Sequence, residues 1–233
     1  MASFARYKQR IPPAILSIGK YSSVAGLFIA GAWQPWSRQC YFEPFGPEND
    51  PLFQTRFLRM YNPNNNPSVN DSCVRKVPLD KIRPELVEDA LAGGSMLLER
   101  FCAGVWGGYG YALQRRIMTW SCRDESNKHM LWDKKQLLDS AYKEVLKKSS
   151  KSIIMRGGMS PSINPDKPRE MDNLSEITVN IDLKQGQVEF RLKNIFFNGS
   201  ENGSGALFPK PVLWLHFQYC KLLVEAGVSH CVR

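Results

Sequence analysis

The chain has 233 residues, a net charge of +9 and 43% hydrophobic residues, enough for one large domain with a sizeable core. Its basic residues are scattered (Arg6, Lys8 and Arg10; Arg75 and Lys76; Lys147, Lys148 and Lys151), and no zinc-finger, RNP or helix-turn-helix signature accompanies them. The charge therefore argues against nucleic acid as a partner, since electrostatic binding needs a concentrated face.

The first 20 residues read as a flexible arm, and residues 21–233 as a single α+β ligand-binding domain with additional N-terminal helices. Val24 to Trp33 is apolar and closed by Gln34-Pro35, which suits a buried strand or a short helix. It is too interrupted for a signal peptide and far short of the roughly 20 residues that a membrane span needs. Ser37 to Phe42 reads as a strand ended by the turn-rich Glu43-Pro44-Phe45-Gly46-Pro47. Leu52 to Tyr61 reads as another. Strand alternation would set Arg56 and Arg59 on opposite faces and enclose one of them, which then requires an anionic partner or ligand. Asn62 to Asp71, rich in asparagine and proline, reads as a loop of lid-like length.

Asp80 to Glu85 carries the acid and the proline of a helix start. Leu86, Val87, Ala90 and Leu91 form the apolar face of that helix, and Gly93-Gly94 end it. In the next run, Gly93 to Arg116, Ser95 is a candidate N-cap. Leu97, Leu98, Phe101 and Val105 recur at helical spacing. Gly104 and Gly108, one turn apart, invite close approach of another backbone, and Gly107 to Gly110 reads as tight packing or as a broken helix. Asp133 to Lys148 has helical periodicity, yet 143–147 and 152–156 would equally form a hairpin around Ser149-Ser150. Met159 to Glu170 reads as a loop. Ile177, Val179, Ile181 and Leu183 alternate, as do Val188, Phe190 and Leu192, with Gln185-Gly186 between, so a hairpin is expected. The alternation slips at Asn194, which predicts a bulge. After Pro209 and Pro211 comes a last helix of about 18 residues. Leu213, Phe217, Cys220, Leu223 and Val224 are expected on its inner face; Gln218, Lys221 and Glu225 are expected on its polar face.

The chain holds no GxGxxG loop, Walker motif, GxSxG elbow or HExxH pair. Its only histidines are His129, His216 and His230, and a three-histidine metal site would need all of them, so no metal is expected; without a nucleotide motif, no organic cofactor is expected either. Six cysteines include no CxxC pair, which argues for reduced structural thiols and a cytoplasmic protein. Four glycosylation sequons, at Asn70, Asn173, Asn198 and Asn202, matter only if the chain is secreted. Candidate substrate-binding residues are Trp106, Tyr109, Tyr111, Trp214, His216 and an enclosed arginine from Arg38, Arg56 or Arg59. No catalytic residue is assigned. The sequence leaves the oligomeric state open.

A sheet-rich chain closed by a long amphipathic helix resembles the START-like (helix-grip) superfamily, chiefly over residues 140–233. The resemblance implies a curved antiparallel sheet gripping that helix, with a cavity for a hydrophobic small molecule. The pieces Ser37-Arg38-Gln39-Cys40-Tyr41-Phe42, Arg56 to Pro63 and Arg100 to Tyr111 resemble a family of small fungal proteins encoded beside specialised-metabolite pathways. Their functional analogues are cofactor-free cyclases, Diels–Alderases among them, and no catalytic residue is carried over from them. Two functions are expected on this basis. One is a cofactor-free cyclase or isomerase, pericyclase-like, acting on a terpenoid or polyketide intermediate by holding a reactive conformer and polarising it. The alternative is a non-catalytic lipid or small-molecule carrier, whose polar groups would all be paired within the protein. A purely structural interaction protein would lack the cavity altogether.

Overall fold

The computed structural model describes residues 33, 36–113, 116, 145–158, 167–170, 172–200 and 207–233. Two units divide the chain, 1–39 and 40–233. The expected N-terminal arm and the apolar run from Val24 fall largely outside the described residues, and the second unit carries the sheet. Six strands, Cys40–Phe42 (β1), Ser68–Pro78 (β2), Val145–Lys148 (β3), Ser152–Gly158 (β4), Asp172–Asp182 (β5) and Gln187–Phe197 (β6), form it in the order β1-β2-β6-β5-β4-β3. All pairings are antiparallel. Among the described residues the helices Arg56–Tyr61 (α1), Pro84–Leu91 (α2), Met96–Gly107 (α3) and Lys210–Ser229 (α4) accompany it. The chain is thus α+β, with a long C-terminal helix on an antiparallel sheet.

The β5–β6 hairpin follows its alternation. Gly186 takes φ +62° in the turn, a conformation that suits glycine, and Asp182 Oδ1 accepts from the Lys184 and Gln185 amides. The other hairpin, β3–β4, forms around Ser149, in line with one of the two readings of that segment. No bulge interrupts β5–β6, whose register runs unbroken from Asp172↔Phe197 to Asp182↔Gln187. The slip at Asn194 has another cause. Val188, Phe190 and Leu192 face the helices α3 and α4, whereas Ile195 and Phe197 enter a second core on the opposite face with Leu52, Phe57, Tyr61, Ile154 and Leu174. Strand β6 is apolar on both faces at its end because both faces are covered.

That second core corrects two expectations. Leu52 to Tyr61 is not a strand. Asp50 accepts from the Leu52 amide and Pro51 opens a 3-10 turn, Pro51–Gln54; the Thr55 side chain then accepts from the Leu58 amide to start α1. Each cap is worth about 1 kcal/mol. Phe57 and Tyr61, four apart, are the buried pair, and Arg56 and Arg59 are both exposed, so neither is the enclosed arginine. The loop predicted to run to Asp71 ends earlier: β2 begins at Ser68, despite its Asn-Asp-Ser content, because β6 pairs it continuously from Ser68, with β1 joining at Cys73 to Arg75. An unbroken ladder to a neighbouring strand outweighs poor strand propensity.

The helices behave as the periodicity predicts, with local differences. Leu97, Leu98, Phe101 and Val105 of α3 are buried. Ser95 stands at the N-cap position but does not cap; its hydroxyl donates to Glu99 Oε1, and Asp89 Oδ2 accepts from the Met96 amide instead. Gly104 faces Gly227 of α4: a Cβ on Gly104 would lie 2.8 Å from Gly227 Cα. Along α4, Cys220, Leu223, Val224 and Val228 fill the space against the sheet and α3. The cavity expected under this helix is therefore occupied by core along its second half. Glu225, assigned to the polar face, is buried, where Arg75 Nε donates to it at 3.0 Å and the Cys40 thiol at 3.3 Å. The described cysteines, 40, 73, 102, 220 and 231, are all free thiols. Among the described residues, no helix is long and apolar enough to cross a membrane.

Candidate functional site

The α4-facing side of the sheet changes character along its length. One row across β2, β6 and β5 is apolar, with Cys73 opposite Leu192 and Leu192 opposite Ile177. Two residues along, the row is polar: Asp71 pairs in register with Asn194, and Asn194 with Ser175. All three are buried. Helix α4 crosses here, and its spacing of four sets His216 and Cys220 on the side that meets this row.

The resulting cluster is tightly connected. His216 Nε2 lies 2.6 Å from Asp71 Oδ2. Asp71 Oδ1 accepts from Asn194 Nδ2 at 3.0 Å and from the Cys220 thiol at 3.5 Å. Cys220 Sγ is 3.4 Å from His216 Nε2. Ser175 Oγ donates to Asn194 Oδ1 at 2.8 Å, which fixes the amide so that its nitrogen faces Asp71. A carboxylate taken wholly out of water requires such partners, and the side chain of Asp71 is 0% exposed against 16% for His216. The imidazole is thus the member of the pair that reaches toward solvent.

Aromatic rings surround it. Phe196 packs edge-on to His216 at 5.0 Å and also meets Phe208 at 5.4 Å; Phe217 lies 5.9 Å from the imidazole and 4.9 Å from Phe42. All four rings are partly exposed, so they offer an apolar, accessible setting for the imidazole. Cys220 is different. Burial pushes its thiol well above the ordinary value, and the neighbouring Asp71 carboxylate pushes it further. A protonated thiol, held by the carboxylate, is not an activated nucleophile.

Of the residues singled out from the sequence, only His216 belongs to this cluster. Arg38, Arg56 and Arg59 are exposed. Trp214 is 60% exposed on α4. Trp106 and Tyr111 are half-buried, stack edge-to-face at 5.6 Å and pack against the core shared by α3 and α4, while Tyr109 is 49% exposed. Trp106 and Tyr111 thus take part in core packing. Trp106→Ala should accordingly cost about 2–3 kcal/mol of stability and Tyr109→Ala less than about 0.5 kcal/mol, as chemical denaturation would read. Equal, small losses at both positions would show that Trp106 is not a packing residue. Asp71, Asn194, Ser175 and Cys220 escaped the sequence reading. The signals available were the His216-to-Cys220 spacing and polar residues at inward-facing positions of three strands.

A separate open groove of about 410 Å³ is lined by Pro63, Asn64, Lys167, Pro168, Gly199 and Ser200, and holds none of the candidate residues. No protein-family model, curated protein or solved structure matches the chain.

Proposed function

We propose that the protein is a cofactor-independent cyclase or isomerase acting on a hydrophobic small molecule, with His216 as the acid–base group and Asp71 as the residue that orients it. The observation that carries this reading is the 2.6 Å contact between His216 Nε2 and the fully buried Asp71 carboxylate, beneath partly exposed rings. With Nε2–H donating to Asp71, Nδ1 is the basic nitrogen of the neutral imidazole. It removes a proton from carbon next to a polarised carbonyl, and the imidazolium that forms is stabilised by the carboxylate, which itself stays ionised. Return of the proton at another position completes an isomerisation; attack of the carbanion on a second carbonyl of the substrate, with the imidazolium proton passed to the alkoxide that forms, completes a cyclisation. The phenylalanines supply apolar surface for the substrate. The resemblance to fungal pathway proteins and to the START-like architecture points to a terpenoid or polyketide intermediate in the cytoplasm, by analogy.

A carrier is the second reading, and one observation favours it: both oxygens of Asp71 are already paired within the protein. Two measurements separate the readings. Native mass spectrometry of the purified protein identifies a co-purifying hydrophobic compound under either. Nitrobenzisoxazole, whose ring opens once a base removes its carbon-bound proton, tests for the base. Wild type should open it above the buffer rate, with a loss of about 100-fold or more in His216→Ala. A wild-type rate equal to buffer, unchanged in His216→Ala, would sink the acid–base reading and leave the carrier.

A further inference from the structure

The donors around Asp71 have a second use that goes beyond acid–base chemistry. We propose that Asp71, His216 and Cys220 form a binding site for a thiophilic divalent ion of the Zn²⁺ class, and that the ion replaces the proton between Asp71 and His216. The three ligand atoms lie within 4.8 Å of one another and come from two elements held in fixed relation by the sheet–helix core. A tetrahedral zinc with bonds of about 2.3 Å to sulfur and about 2.0–2.2 Å to nitrogen and oxygen needs donor–donor separations of about 3.3–3.6 Å. Cys220 Sγ is 3.4 Å from His216 Nε2, so one edge of the tetrahedron already exists, and the Asp71 carboxylate touches the same sulfur through Oδ1 at 3.5 Å. The edge from His216 Nε2 to Asp71 Oδ2, the oxygen that would bind the ion, is 2.6 Å because a proton bridges it. Exchanging proton for cation lengthens this edge by about 0.7 Å, a small rotation of the carboxylate.

Charge and donor type agree with this assignment. A thiolate and a carboxylate together balance a doubly charged ion, so the occupied site is neutral in a buried place where net charge is costly. Binding releases the thiol proton to solvent, and the ring proton of His216 moves from Nε2 to Nδ1, so that the ligand is a neutral imidazole. Sulfur and imidazole select zinc or cobalt over magnesium or calcium, which favour oxygen alone. The carboxylate is already steadied from behind by Asn194 Nδ2, itself set by Ser175, the second layer that metal ligands require. His216 and Cys220 stand four apart on α4, a spacing that sets two ligands on one helix face. Three protein donors leave a coordination position for water or another ligand.

Co²⁺, which substitutes for zinc and reports its ligands by absorption, is the probe. The full-length protein should take up one Co²⁺ per chain with a thiolate-to-cobalt band in the near ultraviolet, and Zn²⁺ should displace it. Cys220→Ser should abolish the band. His216→Ala should weaken Zn²⁺ binding at least about 100-fold, and Asn194→Leu about 10-fold or more. Absence of the band in wild type overturns the proposal. So does a band that survives Cys220→Ser, or one that disappears in Cys122→Ser or His129→Ala. The occupied site cannot act as a base, so Zn²⁺ should suppress any His216-dependent opening of nitrobenzisoxazole. Cobalt binding in a protein without such activity would uphold the metal site and defeat the acid–base reading alone.

Discussion

Asp172→Ala is expected to lower the unfolding free energy by about 3–5 kcal/mol, read as a shift in the denaturation midpoint at unchanged slope. Asp172 in β5 and Arg156 in β4 form a bidentate pair, Nε to Oδ1 at 2.9 Å and Nη2 to Oδ2 at 2.6 Å. Their side chains are 0% and 1% exposed. The guanidinium is stacked 3.6 Å from the Tyr61 ring and also donates to the Lys167 carbonyl, so it cannot leave for solvent when its partner is removed. The cost comes from stranding that cation, more than from losing attraction between two ions already stripped of water. Replacing both partners with apolar residues, Arg156→Met with Asp172→Leu, should therefore be milder than Asp172→Ala alone. A loss below about 1 kcal/mol in the single variant would mean that water reaches the pair.

Gly104→Ala tests packing against propensity by the sign of its effect. Alanine is the better helix former by about 1 kcal/mol, and at Gly107 of the same helix, where nothing lies within 4 Å of an added Cβ, substitution should be neutral or stabilising. At Gly104 the added Cβ would stand 2.8 Å from Gly227 Cα and 2.9 Å from the Ala226 and Gly227 carbonyl oxygens. These are backbone atoms and cannot rotate aside. Separating α3 from α4 would open the core around Phe101, which is fully buried against Phe190 at 4.9 Å. A net destabilisation of about 3 kcal/mol is expected, at the upper end of overpacking costs. Equal effects at 104 and 107 in a melting experiment would show that the two helices are not in backbone contact.

Elements whose own residues repeat with one period are legible in the sequence: the β5–β6 hairpin, the face of α3, the start and stop of α2, and the last helix. Each buries a single face, so local spacing reports it. Periodicity misleads where two faces or a distant partner decide. Leu52 to Tyr61 reads as a strand because Leu52, Phe53, Phe57, Leu58, Met60 and Tyr61 are apolar in close order, while the caps at Asp50 and Thr55 make it a 3-10 turn followed by a helix. Asn194 reads as a slip because the far side of β6 is covered by a segment more than a hundred residues earlier.

Local patterning therefore suffices for an α+β chain with an antiparallel hairpin, a long C-terminal helix and a histidine on that helix. It also suffices to place glycine where α3 needs close approach. What the histidine does is settled by packing across the chain. Asp71 and His216 are 145 residues apart, and no periodicity within either segment links them. Only the register of β2 against β6, which sets Asp71 beside Asn194, and the crossing of α4 above that row bring the carboxylate, imidazole and thiol together. A buried polar cluster is a property of the packed faces, because its members tolerate burial only in one another's presence.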